Sequence, residues 1–97
     1  MAKEKGWSPE SIDTFEQVID YLSENWNERE VESFMQAAFR VIYFISDYLR
    51  MFRKTNVRNV HEAVVTPHNL LVYEVHSNHI TLITFRDTRQ NPSRKKR

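Results

Sequence analysis

The sequence has no cysteine and a single glycine, Gly6, in 97 residues. Without cysteine there is no disulfide framework, no thiolate zinc site and no cysteine nucleophile, and a reducing, cytoplasmic setting is the expectation. One glycine cannot build the Gly-rich turn that lets backbone amides close around a phosphate, so no nucleoside triphosphate site is expected. No apolar run approaches the length of a membrane span, and no charged stretch followed by an apolar one opens the chain, which excludes a membrane partner from the reading. Four histidines are present, His61, His68, His76 and His79. Their spacing, with no cysteine or carboxylate cluster beside them, completes no metal-ligand set, and neither a metal nor another cofactor is expected.

What is there is a chain divided by charge. The net charge is only +1, yet residues 1–49 carry ten acids against four bases, a net −6, and residues 50–97 carry ten bases against three acids, a net +7. A basic C-terminal half suits a polyanion or an acidic protein segment as partner, unless the two halves neutralise each other within the fold. The length suits one domain with one core, assigned to residues 1–92. The tail 93–97, SRKKR, has no apolar residue and is expected to be disordered.

Two helices are written into the acidic half. Ser8-Pro9-Glu10 is a helix start: serine caps an unpaired amide, proline is pre-set for the first helical position, and glutamate favours the positive helix end. Ile12, Phe15, Val18, Ile19, Leu22 and Trp26 then recur at spacings of three and four. Asn27 and Glu30 repeat the start signal as a cap and its reciprocal partner. A second stripe follows through Val31, Phe34, Met35, Ala38, Val41, Ile42, Ile45 and Leu49, widened by Phe39, Tyr43, Phe44 and Tyr48. So short a connection predicts a helical hairpin, and its apolar residues are read as core.

The basic half is strand-like. Residues 3–7 form a weak strand candidate, 53–56 a polar connection and 58–66 an alternating strand. Pro67 with His68 and Asn69 marks a turn, and residues 69–92 read as two strands joined at Ser77-Asn78. In the first, Leu71, Tyr73 and Val75 alternate with Leu70, Val72 and Glu74. In the second, Ile80, Leu82 and Thr84 alternate with Thr81, Ile83 and Phe85. The predicted class is therefore α+β, an N-terminal helical hairpin packed on an antiparallel sheet of three to four strands.

The candidate site lies among the basic residues. Arg53, Lys54 and Arg58 precede or open one strand, and Arg86 and Arg89 close the last. If those strands are neighbours, the two sets converge at one end of the sheet, where guanidinium groups grip phosphates in pairs or stabilise charge on a reacting phosphoryl group. The alternative is a solvated, charged edge that discourages sheet-to-sheet association. His61 or His68 would be the acid or base, since histidine titrates near neutrality.

Three segments together, WSPESIDTFEQVIDYLSENW, VRNVHEAVVTPHNLLVYEV and ITLITFRDTRQNP, resemble the RelE/ParE superfamily of toxins from bacterial type II toxin-antitoxin systems. The resemblance covers nearly the whole chain. It implies a compact toxin, held inactive by a cognate antitoxin whose C-terminal segment wraps around it, with growth arrest and plasmid stabilisation as consequences. RelE-like members cleave messenger RNA on the ribosome, using basic residues of the sheet and often a histidine or tyrosine near the C-terminus; ParE-like members inhibit DNA gyrase. Here Asp87 stands after the last strand and no tyrosine follows, which favours the ParE-like branch. In the endoribonuclease alternative, Arg86 and Arg89 would hold the scissile phosphate while Lys54, Arg58 or His61 assist proton transfer. In either case Arg53, Lys54, Arg58, Arg86, Arg89 and Gln90 are the residues expected to meet the target or the antitoxin. A non-toxic remnant that binds only its antitoxin is the third alternative.

Overall fold

The computed structural model describes residues 4–45 and 53–88. In chain order the elements are β1 (Glu4–Trp7), α1 (Pro9–Asn25), α2 (Glu28–Ile45), β2 (Arg53–Lys54), β3 (Val60–Thr66), β4 (Asn69–Val75) and β5 (His79–Asp87). The strands form one sheet in the order β1-β5-β4-β3-β2. The α+β arrangement of a helical hairpin followed by a meander is observed, but the sheet has five strands and is mixed. The additional strand at one edge is β1, which runs parallel to β5 from Glu4 opposite His79 to Trp7 opposite Leu82. At the other edge, two charged residues expected to form a connection pair instead with β3, Arg53 opposite Glu62 and Lys54 opposite His61.

Both helix starts form as their residues dictate. The Ser8 hydroxyl accepts from the Ser11 amide at 3.0 Å, and Asn27 Oδ1 accepts from the Glu30 amide at 3.0 Å. The first bond satisfies an amide that the helix itself leaves unpaired, and the second adds to the bond that the Glu30 amide makes to the Asn27 carbonyl at 3.1 Å. Ser8 also ties α1 to the sheet: its amide donates to the Leu82 carbonyl at 3.0 Å and its hydroxyl to the Ile83 carbonyl at 2.9 Å. Six residues later, Thr14 Oγ1 accepts from the Phe85 amide at 2.9 Å. Beyond the end of β1, the side chains of α1 thus supply the partners that a neighbouring strand would give to β5.

The core lies between the helices and one face of the sheet. Phe34, Ala38, Ile42 and Ile45 of α2 meet Ala63, Leu71, Tyr73, Ile80, Leu82 and Phe85, with Trp7, Phe15, Val18, Ile19, Leu22, Met35 and Val41 packed around them. Trp7, Phe15, Phe34 and Phe85 form a ring cluster whose centroids stand 5.3 to 6.1 Å apart, the separation at which tilted and edge-on rings attract. Trp7, partly buried, anchors β1 to this cluster.

A bulge alters the predicted alternation. Val72 pairs with Thr84 but Tyr73 pairs with Leu82, so Ile83 is the extra residue and the strand phase reverses beyond it. Phe85, not Thr84, therefore joins Ile80 and Leu82 in the core. Two members of the α1 stripe, Ile12 and Trp26, are exposed, as are Phe39, Tyr43 and Phe44 of α2, which the sequence assigned to the core. Tyr48, Leu49 and the tail 93–97 lie outside the described residues. No helix among the described residues is long and apolar enough to cross a membrane.

Candidate functional site

Alternation along each strand sorts the candidate residues onto two faces of the sheet. Ala63, Leu71 and Tyr73 face the helices, so Glu62, Leu70 and Val72 face away from them. On that second face, Arg53 from β2 and Arg86 from β5 converge on Glu62 from β3. The guanidinium of Arg53 donates twice to Glu62 Oε1, from Nη2 at 2.7 Å and Nε at 3.1 Å, while Arg86 Nη1 stands 3.7 Å from Oε2. Both carboxylate oxygens are engaged. Glu62 is largely covered and the two arginines are open to solvent. Beside them Leu70 and Val72 are buried, although Val64 remains 63% exposed.

This cluster combines two fixed cations with one anion, a net positive site that holds its own counter-ion. Two guanidinium groups so placed can receive a phosphate or carboxylate once Glu62 yields its place. Glu62 was not singled out in the sequence, although it is one of only three acids in the basic half. Its position beside two arginines comes from pairing register, which composition does not reveal.

The other candidates lie elsewhere. Lys54 and His61 are register partners and share the helix-facing side with Tyr73. The His61 ring stacks on Tyr73 with centroids 5.5 Å apart and planes at 19°. Burial, and then the charge of Lys54, lower the His61 pKa from its ordinary value, which favours the neutral imidazole. Burial pushes the Tyr73 phenol up to about 12. His61 and Arg86 thus stand on opposite faces of the sheet.

Arg58 lies in the turn between β2 and β3, where Asn59 adopts a positive φ of 66°, a conformation that asparagine tolerates. That turn is at the far end of the sheet from Arg86. Arg86 pairs with Leu70, whereas Val60 pairs with Glu74, a separation along β4 of about 13 Å. The expected convergence of Arg58 with Arg86 therefore fails for a topological reason: β3 and β5 run in the same direction, so one starts where the other has yet to end. Only Arg53 is carried back to Arg86, because β2 reverses along β3. His68 is exposed in the turn before β4, and His76 stacks on His79, with ring centroids 4.2 Å apart, at the tip of the β4–β5 hairpin. Among the described residues no group of three or more histidine, aspartate or glutamate side chains is arranged to hold a metal.

The last described residue, Thr88, is tied down by its amide donating to the His68 carbonyl at 2.8 Å. Arg89 and Gln90, both expected at the site, lie outside the described residues.

No protein-family model matches the chain, and no curated protein matches it. Solved structures do. A chain of the chromosomal ParDE toxin-antitoxin system from P. aeruginosa superposes with a TM-score of 0.75 at 9% identity, covering 89% of this chain and 96% of that one. The YoeB dimer from Staphylococcus aureus gives 0.63 at 15% identity, with 89% and 97% covered. The DinJ-YafQ toxin-antitoxin complex of E. coli gives 0.62 at 7% identity, with 90% and 93% covered. The chain has the fold shared by these proteins over nearly its whole length.

Proposed function

We propose that this chain is the toxin of a type II toxin-antitoxin pair, neutralised by a cognate antitoxin, and that it acts by binding a protein target, DNA gyrase, in the manner of the ParE branch. The full-length likeness in fold supports the toxin role. The observation that carries the choice of branch is the separation of His61 and Lys54 from Arg86 by the thickness of the sheet. A ribonuclease of the kind the sequence allowed needs a proton-transfer group within hydrogen-bond reach of the phosphate that its arginines hold. On the arginine face Glu62 is already engaged by both guanidinium groups, and Glu74 lies about 13 Å along β4 from the position paired with Arg86. Among the described residues no side-chain contact joins the exposed His68, at the Arg86 end of the sheet, to Arg53 or Arg86. A surface that binds an acidic patch on a protein needs no such group. Arg53 and Arg86, with Arg89 following the same strand, are its charged contacts, and the exposed Val64 beside them adds apolar area.

The ribosome-dependent endoribonuclease remains the second reading, favoured by one observation: two guanidinium groups already share a single oxyanion, Glu62, in the place a phosphate would take. Expression of the chain alone is the first test. Growth should stop, a co-expressed product of the neighbouring gene should restore it and co-purify with the chain, and Arg89→Ala should abolish arrest while leaving fold and antitoxin binding intact. A chain that is harmless when expressed alone would reduce the proposal to the non-toxic remnant.

A further inference from the structure

Along α2, Val31, Met35, Phe39 and Tyr43 follow one another every four residues and form a single row. Phe39 is 48% exposed and Tyr43 64%, although Phe39 also packs its ring 5.9 Å from that of Phe15. Beside this row runs an open groove of about 610 Å³, lined by Val31, Met35 and Phe39 together with Ser23 of α1 and the polar Glu28, Glu32 and Gln36. The adjacent row, one position further round the helix, is Glu28, Glu32, Gln36 and Arg40, all exposed. Neither Glu32 nor Arg40 makes an ion pair among the described residues.

That second row reads acid, acid, neutral, base. Glu32 and Arg40 are equidistant from Gln36, about 6 Å to either side along the axis. A row with this polarity is complementary to its own reverse. When two copies of α2 meet antiparallel about a two-fold axis at Met35 and Gln36, Glu32 of each copy faces Arg40 of the other, and both contacts form at once. The same operation sets Phe39 of one copy opposite Val31 of the other, so each exposed ring enters the partner groove. Lys5, whose ammonium lies 5.9 Å over the Tyr43 ring, adds a cation at the end that meets Glu28. A parallel pairing would instead set Glu32 against Glu32 and Arg40 against Arg40.

We propose that this face of α2 is a self-association surface, and that the chain forms a two-fold dimer through antiparallel α2 helices, with Glu32 and Arg40 fixing the direction. The surface lies on the helical side of the molecule, apart from the arginine cluster on the open face of the sheet, and the proposal does not depend on the toxin assignment.

Sedimentation velocity at low and high salt tests it. The wild-type chain should dimerise, more weakly as salt rises. Glu32→Arg and Arg40→Glu should each weaken the dimer by about tenfold or more, since each sets like charges together at two symmetric contacts. Mixed in equal amounts, the two single variants should recover a heterodimer, because one then presents only bases at positions 32 and 40 and the other only acids. The double variant should dimerise like the wild type. Both positions are exposed, and unchanged thermal melts will verify that the fold persists. A wild-type chain that is monomeric at every concentration overturns the proposal, as do single variants that dimerise undiminished or a mixture that stays monomeric. If the wild-type chain is monomeric and Glu32→Arg loses a co-purifying antitoxin, the groove belongs to that partner and the dimer is excluded, while the toxin assignment stands.

Discussion

Replacing Ser8 with alanine removes two interactions from one hydroxyl. Ser8 Oγ accepts from the Ser11 amide at 3.0 Å and donates to the Ile83 carbonyl at 2.9 Å, so it both caps α1 and joins that helix to the bulge in β5. Loss of a serine cap costs about 1 kcal/mol. Loss of a partly buried hydrogen bond to a carbonyl costs about another 1 kcal/mol. Ser8→Ala should therefore destabilise the chain by about 2 kcal/mol, lowering the melting temperature of a domain of this size by about 8 to 15 °C. Urea denaturation should show the midpoint moving with the slope unchanged, since the surface exposed on unfolding is the same. Ser8→Thr keeps both roles and should stay close to wild type. Ser8→Asp keeps the cap acceptor but has no proton to donate to Ile83, and should recover no more than the capping part. A Ser8→Ala change below about 0.5 kcal/mol, within the ordinary range for surface substitutions, or a Ser8→Asp variant as stable as wild type, would refute the double role.

Three further outcomes follow from the packing and charges. Leu82→Ala empties a fully buried position beneath both helices and should cost about 2 to 5 kcal/mol by denaturant midpoint; an unchanged midpoint would contradict the described core. His61, whose pKa is lowered in the fold, takes up its proton first in the unfolded chain, so stability should fall as pH drops below about 6.5. Unfolding free energies measured from neutral pH down to pH 5 should show less of that fall in His61→Phe, and equal slopes would show that His61 is not desolvated. Glu62→Gln frees two arginines from their shared carboxylate and should raise retention on heparin while changing stability by less than about 1 kcal/mol, as expected for pairs with exposed arginines; unaltered retention would mean that Glu62 does not mask the cluster.

The helices and the central strands were legible because local chemistry specifies them. Ser8, Pro9 and Glu10 encode one helix start, Asn27 and Glu30 the next, and the spacing of Phe15, Leu22, Phe34 and Val41 identified residues that do pack together with Leu71, Tyr73 and Leu82. The edge strands were harder to read. Arg53 and Lys54 carry no strand signal and pair only because β3 lies beside them, with the Arg53–Glu62 contact reinforcing the register. The bulge at Ile83 leaves no mark in composition, yet it decides that Phe85 faces the core. The site was legible as a set of basic residues but not as an arrangement. Which arginines meet depends on strand direction, and which face His61 takes depends on register; both are long-range properties that a linear pattern does not contain. The aromatic excess of α2 was visible as a need for a second neighbour, and Phe39 and Tyr43 remain exposed within this chain.

The assignment to the gyrase-directed branch is tested most directly by assaying one preparation of purified chain on two targets side by side: DNA gyrase with relaxed plasmid, and programmed ribosomes with a defined messenger RNA. The predicted result is inhibition of supercoiling that is lost in Arg86→Ala and reversed by the antitoxin, with the ribosome-bound message left intact. Codon-dependent cleavage of that message, abolished by the same substitution and accompanied by normal supercoiling, would contradict the account and establish the ribonuclease.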